Sequence, residues 1–399
     1  MQVRKSVLVW IMVVATMGAG HAWKIDGKAP RLEFKGMSGN NNFAGLKADI
    51  ETRMNDEVGR AFNNTLDTAR KNLAGFTSQK QLAQGMANAN AYSSNSATLQ
   101  GNQNYDLFAV SSGFMLAVQA PSLSPSYYKS IGDEISNNGD LYAGLGVGFS
   151  YFNFGLNCKF FMPGLYLNAK YGGLSQKVSD FSVDFKVMGV GASYSIMDTK
   201  SFIGLVKWRG ISASTGFYMQ MDELKQRVKP KSIKTPADIR KAVMSGSTPG
   251  TDSTNKEALL VEMGYGPNDS DATVTLKPAF DMGLDISTYT VPLEVNTAVS
   301  VLWGLLSINA GVGMDLNFGN AKIVLKGGST AAISSDTTKV VFHDASMVVD
   351  GSSENGPSFV RMRAMTGIGT GIGPVRLEIP IVYYVKSGLA FGVTAAIVW

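Results

Sequence analysis

The sequence predicts an all-β fold: a transmembrane antiparallel β-barrel of about 12 strands (10–14), preceded by a helical N-terminal plug or periplasmic segment. Three observations carry this expectation. From residue 104 to the C-terminus, one segment after another alternates apolar residues with small or polar ones at period two. Charged residues make up 17% of the chain, against about 25% for an ordinary soluble protein, and glycine is abundant at 44 residues. After the N-terminal leader, no stretch reaches the roughly 18 apolar residues of a membrane helix. A chain of this kind can cross lipid only as strands in a closed ring, where every backbone polar group finds a partner.

The first 22 residues read as a secretory signal peptide. Arg4 and Lys5 precede the apolar run Val7–Met17, and Gly20-His21-Ala22 offers a small-x-small cleavage site before Trp23. The run is too short for a membrane span. No cysteine follows the cleavage site, which argues against a lipid anchor. Removing residues 1–22 takes two cations and no acid from a chain of formal charge +5. That mild balance does not call for a nucleic-acid partner. Cys158 is the sole cysteine, which excludes an intramolecular disulfide and a cysteine-based metal site. No cofactor motif is present either: Gly-Ile-Gly-Thr-Gly-Ile-Gly at 367–373 ends a strand with no helix after it, so it is not a phosphate loop.

Residues 23–103 are polar and rich in Asn and Ala, and form the helical N-terminal segment. Leu46, Ile50, Met54, Val58, Phe62, Leu66, Ala69 and Leu73 recur at helical spacing, with Lys47, Asp49, Glu51, Arg53, Asp56, Glu57 and Arg60 between them. This predicts an amphipathic helix ending near Gly75. A second, weaker helix is expected at Gln79–Ala91. The apolar stripe has three possible destinations: the lumen as a plug, the periplasmic rim of the barrel, or a partner.

Residues 104–399 form the barrel. Strands are expected at about 105–118, 141–161, 165–172, 182–196, 202–221, 273–287, 290–303, 304–318, 321–327, 357–371, 374–385 and 388–399. Leu306, Ile308, Ala310, Val312, Met314, Leu316 and Phe318, for example, oppose Ser307, Asn309, Gly311, Gly313, Asp315 and Asn317. A soluble sandwich would also alternate, but with a heavily charged outer face. An even strand count places both barrel ends on one side. The long connections 119–140, 222–272 and 328–356 then all emerge on the other, outer side. Met162-Pro163-Gly164, Asp198-Thr199-Lys200 and Gly319-Asn320 become short inner turns.

The alternation nominates lumen-facing residues that line a solute path: Asp184, Lys186, Asp281, Asp285, Glu294, Asp315, Arg361, Arg363, Arg376 and Glu378. Asn309 falls on the same face. Such a lining either sets solute preference or pairs internally and keeps the interior wet and rigid. Arg361, Arg363 and Arg376 suggest one basic cluster. Pro292 and Pro380 interrupt strands and predict wall kinks, because each removes a ladder hydrogen bond. Lys225, Arg227, Lys229, Lys231, Lys234, Arg240 and Lys241 make the loop 222–272 basic, the usual mark of a solvated charged loop.

The last strand points to a compartment. Leu389, Phe391, Val393, Ala395, Ile397 and Trp399 share one face, while Ala390, Gly392, Thr394, Ala396 and Val398 share the other. With the leader, this terminal aromatic strand resembles the closing strand of the bacterial outer-membrane β-barrel superfamily. The resemblance implies the outer membrane of a diderm bacterium, with outer-membrane lipids and the barrel-assembly machinery as partners. Phe391, Val393, Ile397 and Trp399 would then be the insertion signal. Within that superfamily, the helical segment and the wall prolines resemble the long-chain fatty-acid transporter family, in which an N-terminal hatch plugs the lumen and a kinked strand opens a side exit. The Asn-Pro-Ala start of that family is absent here.

The expected function is therefore a porin-like outer-membrane channel or transporter for diffusion of small or hydrophobic solutes, the solute itself being unknown. The alternative is a loop-displaying, adhesin-like barrel that binds surface or host ligands and has a filled lumen. An enzyme is not expected. The mature chain has one histidine, His343, beside Asp344 and Ser346 in an expected outer loop, and barrel hydrolases need a histidine positioned by the wall. No oligomeric state is legible.

Overall fold

The computed structural model describes residues 24–29, 31–34, 44–74, 79–96, 98, 105–119, 144–202, 205–228, 233–245, 253–262, 271–334, 340–343 and 345–399. The expected signal peptide and nearly all of the loop 119–140 lie outside the described residues. The N-terminal segment contributes β1 (Lys24–Lys28), β2 (Arg31–Phe34), α1 (Ala44–Ala74) and α2 (Gln79–Ser93). Then come β3 (Phe108–Gln119), β4 (Gly144–Asn157), β5 (Leu165–Val178), β6 (Phe181–Met197), the short β7 (Lys200–Phe202) and β8 (Val206–Val228). Next are β9 (Ile233–Asp238), α3 (Ile239–Met244), α4 (Ser253–Glu262), β10 (Asp271–Val301) and β11 (Leu306–Ser334). The chain ends with β12 (Val340–His343), β13 (Ala345–Asn355), β14 (Val360–Ile372), β15 (Val375–Tyr384) and β16 (Gly388–Val398).

Ten strands close a ring: β3-β4-β5-β6-β8-β10-β11-β14-β15-β16, with β16 returning to β3 and every pairing antiparallel. The ring lies within the expected range, two below the expected count. The expected pairs 273–287/290–303 and 304–318/321–327 are in fact single strands. β10 and β11 form one hairpin, registered without a break from Val301↔Leu306 to Thr273↔Ser334. Gly319-Asn320 is therefore no turn but mid-strand. Gly319 has φ +112° and its missing Cβ would strike the Ser287 carbonyl, so the ladder runs through this position because it is glycine.

Strand length explains the shape. About 9–11 residues suffice to cross a bilayer as a tilted strand. β14, β15 and β16 have 13, 10 and 11 residues, but β8, β10 and β11 have 23, 31 and 29. The surplus projects beyond the ring at one end, where β13 pairs with β11, β1 with β13 and β9 with β10. We call this the far end. The near end carries the start of β3 and Trp399, whose N–H donates to Phe108 O at 2.9 Å.

The outside of the ring is an apolar belt. Leu293, Val295, Ile308, Val312, Met362, Ile379, Phe391, Val393 and Ile397 are exposed there. Phe217 stacks on Tyr289 (5.9 Å between centroids) and Phe318 meets Phe359 edge-on (5.2 Å) toward the far end. Trp399 stacks on Phe108 (4.6 Å) at the near end. An apolar band between two aromatic girdles is the exterior that lipid requires.

Pro292 and Pro380 each remove ladder bonds without shifting register. The β10–β8 ladder passes from Thr290↔Tyr218 to Leu293↔Thr215, and the β15–β16 ladder from Glu378↔Thr394 to Ile381↔Phe391. The ladders shift register elsewhere, at Ser111/Gly113, Ser195/Met197 and Thr297/Val299.

Candidate functional site: a helix seated in the lumen

Helix α2 lies inside the ring because both surfaces are built from small residues. Cβ atoms added to Gly144, Gly146 and Gly148 of β4 would collide with the carbonyls of Gly85, Ala89 and Ser93 of α2. Four helical residues rise about 6 Å and two strand residues about 6.8 Å, so the two repeats stay in step over two turns. The helix backbone thus rests on the strand backbone.

The rest of the helix is enclosed. Leu82, Ala83, Met86 and Ala87 form one cluster with Leu284, Ile286, Ala321 and Ile323 of the β10–β11 hairpin. Tyr92 stacks on Tyr384 (3.6 Å, 13°) and donates to Ser387 Oγ at 3.1 Å. Polar helix residues find partners on the wall. Asn88 Oδ1 accepts from Ser358 N–H at 2.7 Å, Ser93 Oγ accepts from Gln220 Nε2 at 2.9 Å, and Thr288 Oγ1 bonds to Asn90 Oδ1. Asn88, Asn90 and Ser93 are fully buried.

Lys170 of β5 finishes the helix. Its ammonium donates to Ser94 O, to Ser96 O at 3.3 Å and to Thr98 Oγ1 at 3.3 Å, and lies 3.8 Å from the Tyr218 ring centre. These carbonyls belong to the turn just past Ser93, and a cation there also suits the negative end of the helix dipole. The sequence reading missed this residue. Its signal was a single lysine opposite Leu167, Ala169 and Tyr171 on a short alternating strand. Lys170→Met should leave buried carbonyls without a donor and lower stability by about 1–3 kcal/mol, measured by urea unfolding of the barrel in detergent micelles.

Nearer the middle of the ring, Arg363 sits between two acids. Its Nη2 donates to Glu294 Oε2 at 2.6 Å, and its Nε lies 3.2 Å from Asp315 Oδ1, an ion contact without hydrogen-bond alignment. The Arg363 and Asp315 side chains are fully buried. Glu294 Oε1 also accepts from Ser214 Oγ (2.9 Å) and Asn296 Nδ2 (3.1 Å). Toward the near end, Arg209 Nε donates to Ser300 Oγ at 2.6 Å, and Glu378 is buried. Tyr105 meets Tyr166 edge-on at 5.2 Å.

The structure therefore divides the nominated residues. Glu294, Asp315, Arg361, Arg363, Arg376 and Glu378 face inward, and three of them, Glu294, Asp315 and Arg363, meet. Arg361 instead donates to Ser358 Oγ, and Arg376 stands opposite Gly371 at the near end, so the three arginines are not one cluster. Asp184, Lys186, Asp281 and Asp285 do not face the lumen. Asp184 and Lys186 pair with each other at 3.3 Å on the outer face, Asp281 faces Arg227 at 3.7 Å, and Asp285 is exposed.

The reason is that polarity inverts along each long strand. Beyond the belt the outside is water and the inside is α2, so Leu284 and Ile286 turn inward and the acids turn outward. At Tyr289–Leu293 the same strand enters the belt, and its apolar residues face out. Asp281→Asn and Asp285→Asn should accordingly change stability by less than about 0.5 kcal/mol in the same unfolding assay.

At the far end, three of the basic loop residues, Lys225, Arg227 and Arg240, are matched by acids. Lys225 pairs with Glu223 and Arg240 with Glu257, while Asp238 caps α3 by accepting from Lys241 N–H at 2.8 Å. Lys229 and Lys231 lie outside the described residues. His343 belongs to β12, whose backbone pairs with β2 through His343↔Arg31, so it is not in a free loop. On the belt, an apolar groove of about 860 Å³ runs across β6, β8, β10, β11 and β14, over Ala192, Ala213, Thr215 and Ala364.

Comparison with known proteins places this architecture. A family model described as Lsa36-like matches residues 40–399. No curated protein matches the chain. Among solved structures, the chain is similar to the translocator domain of autotransporter NalP from Neisseria meningitidis, at 7% identity and a TM-score of 0.26, covering 75% of this chain and 91% of that one. It is also similar to the CymD monoaromatic hydrocarbon channel, at 9% identity and a TM-score of 0.21, covering 74% and 90%. A third is the P. putida toluene transporter TodX, at 9% identity and a TM-score of 0.20, covering 74% and 90%. With its antiparallel barrel and a match that spans most of its length, the chain belongs to the Lsa36-like family.

Proposed function

We propose that this protein is an outer-membrane barrel with its lumen closed by its own helix, and that its far end is a surface-exposed platform for binding surface or host ligands. One observation carries the reading: α2 rests backbone to backbone on Gly144, Gly146 and Gly148 and is buried from Leu82 to Ser93 apart from the half-buried Gln84, so it occupies the space a solute would need. The outward apolar belt supports membrane insertion, and Phe391, Val393, Ile397 and Trp399 on that belt supply the terminal pattern for the assembly machinery. The projecting sheet supplies surface beyond the lipid.

A second reading, passage of small or hydrophobic solutes, requires α2 to move. It draws support from the polar layer below the helix and from the apolar groove, whose Leu293 and Thr215 adjoin the ladder gap at Pro292. Conductance in planar bilayers separates the two. The intact protein should show no stable open level, and a variant lacking residues 79–98 should conduct. Steady conductance or solute flux through the intact protein would overturn the closed-lumen reading.

A further inference from the structure

We infer that the N-terminal segment reaches the far side through the lumen of its own barrel, so that the chain from residue 79 to residue 107 is a threaded linker and β1, β2 and α1 are displayed beyond it. The inference rests on the orientation proposed above, with the near end toward the periplasm.

The threading can be followed along β4, which runs from Gly144 at the far end to Asn157 at the near end. Gly85 lies against Gly144, Ala89 against Gly146 and Ser93 against Gly148. Ser96 Oγ is 2.8 Å from Ser150 Oγ, Tyr105 sits against Gly155, and Leu107 N–H donates to Trp399 O at 2.8 Å. Each of these contacts is a step toward the near end. β3 then starts the ring from there.

The described elements before the linker belong to the far end. β1 pairs with β13 from Lys24↔Asp350 to Lys28↔Ser346, and β2 pairs with β12. Helix α1 packs on β1, β2, β9, α3 and β10. Its stripe of Met54, Val58, Ala61, Phe62 and Leu66 is buried, and Phe62 and Leu66 close over Gly27. The stripe's partner is thus the far-end structure, not the near-end rim.

The route follows from connectivity. The described residues 24–29, 31–34 and 44–74 stand on one side of the belt and residue 107 on the other, and the described residues between them, 79–96, 98, 105 and 106, follow the inside of the ring. Helix α1 carries Asp49, Glu51, Arg53, Asp56, Glu57 and Arg60, charges that hydrocarbon strongly disfavours. The lumen is the path that spares them contact with lipid. Passage through a ring still open, or closure of the strands around a chain already passing, leaves the same threaded product.

The test uses the full chain in cells, with Cys158→Ser and single cysteines read by a membrane-impermeant maleimide. Asn63→Cys reports α1, Asp56→Cys is a second reporter there, Asp281→Cys reports the outer wall and Lys159→Cys the near-end turn; all four positions are exposed. Separately, Ser96→Cys with Ser150→Cys should form a disulfide inside the ring. The expected result is full labelling of Asn63→Cys, Asp56→Cys and Asp281→Cys on intact cells, labelling of Lys159→Cys only after the outer membrane is permeabilised, and the disulfide as a gel shift reversed by reductant.

If Asp281→Cys is labelled on intact cells while both α1 reporters need permeabilisation, threading is wrong and the surface platform stands. Absence of the disulfide in folded barrels would also overturn threading. If only Lys159→Cys is labelled on intact cells, the orientation is reversed and both proposals fall.

Discussion

Gly146→Leu should unseat the luminal helix. Gly146 lies midway along the contact between β4 and α2, and even its Cβ would collide with the Ala89 carbonyl. The obstacle is helix backbone pressed against strand backbone, so no side-chain rotation relieves it. A leucine there forces either the helix out of the ring or the ring out of closure, and each outcome has its own signature. Expulsion of α2 leaves a folded, heat-modifiable barrel that conducts in planar bilayers. Loss of closure leaves no heat-modifiable species. A variant that folds and stays electrically silent like the parent would show that α2 is not seated against β4. Phe149→Leu, on the outer face of the same strand, is the control and should change neither readout.

Arg363→Met should be among the most destabilising substitutions in the ring. It removes the cation between two acids and leaves Glu294 facing the fully buried Asp315 with no cation between them. Breaking a buried pair by removing one partner costs about 3–5 kcal/mol, because the uncompensated charge remains. Urea unfolding in micelles should therefore show a large fall in midpoint. Restoring neutrality in the triple variant Glu294→Gln, Asp315→Asn, Arg363→Met should recover part of it, since mutually packed neutral groups often equal a buried ion pair. A midpoint unchanged by Arg363→Met would mean that the acids find other compensation. Arg376→Met, at the near-end rim, should have a much smaller effect.

The two positions differ in how visible they were. Glycines at 144, 146 and 148 were legible as one face of a strand, and the small residues of 79–93 as a weak helix. Their contact was not legible, because it depends on two repeats of different rise meeting at matching heights. The inward direction of Glu294, Asp315 and Arg363 followed from alternation alone. Their meeting depends on the register of β10, β11 and β14, which brings Glu294 opposite Gly313 and Arg363 opposite the same glycine.

Asp184, Lys186, Asp281 and Asp285 show where alternation misleads. Period two separates two faces, but it does not say which is inside. The assignment assumed lipid outside along the whole strand, and that holds only within the belt.

By itself, the sequence determined the antiparallel barrel, the helical segment before it, the closing strand and the apolar exterior. These rest on short-range periodicity, which each segment carries independently. Only the tertiary structure decided that two long strands run uninterrupted through what read as turns, that the ring has ten members, and that α2 fills the lumen while α1 stands at the far end. Those outcomes depend on which segments meet and at what height. Such pairings are set by steric fit and solvent on both sides of the wall at once, and no single stretch of chain contains them.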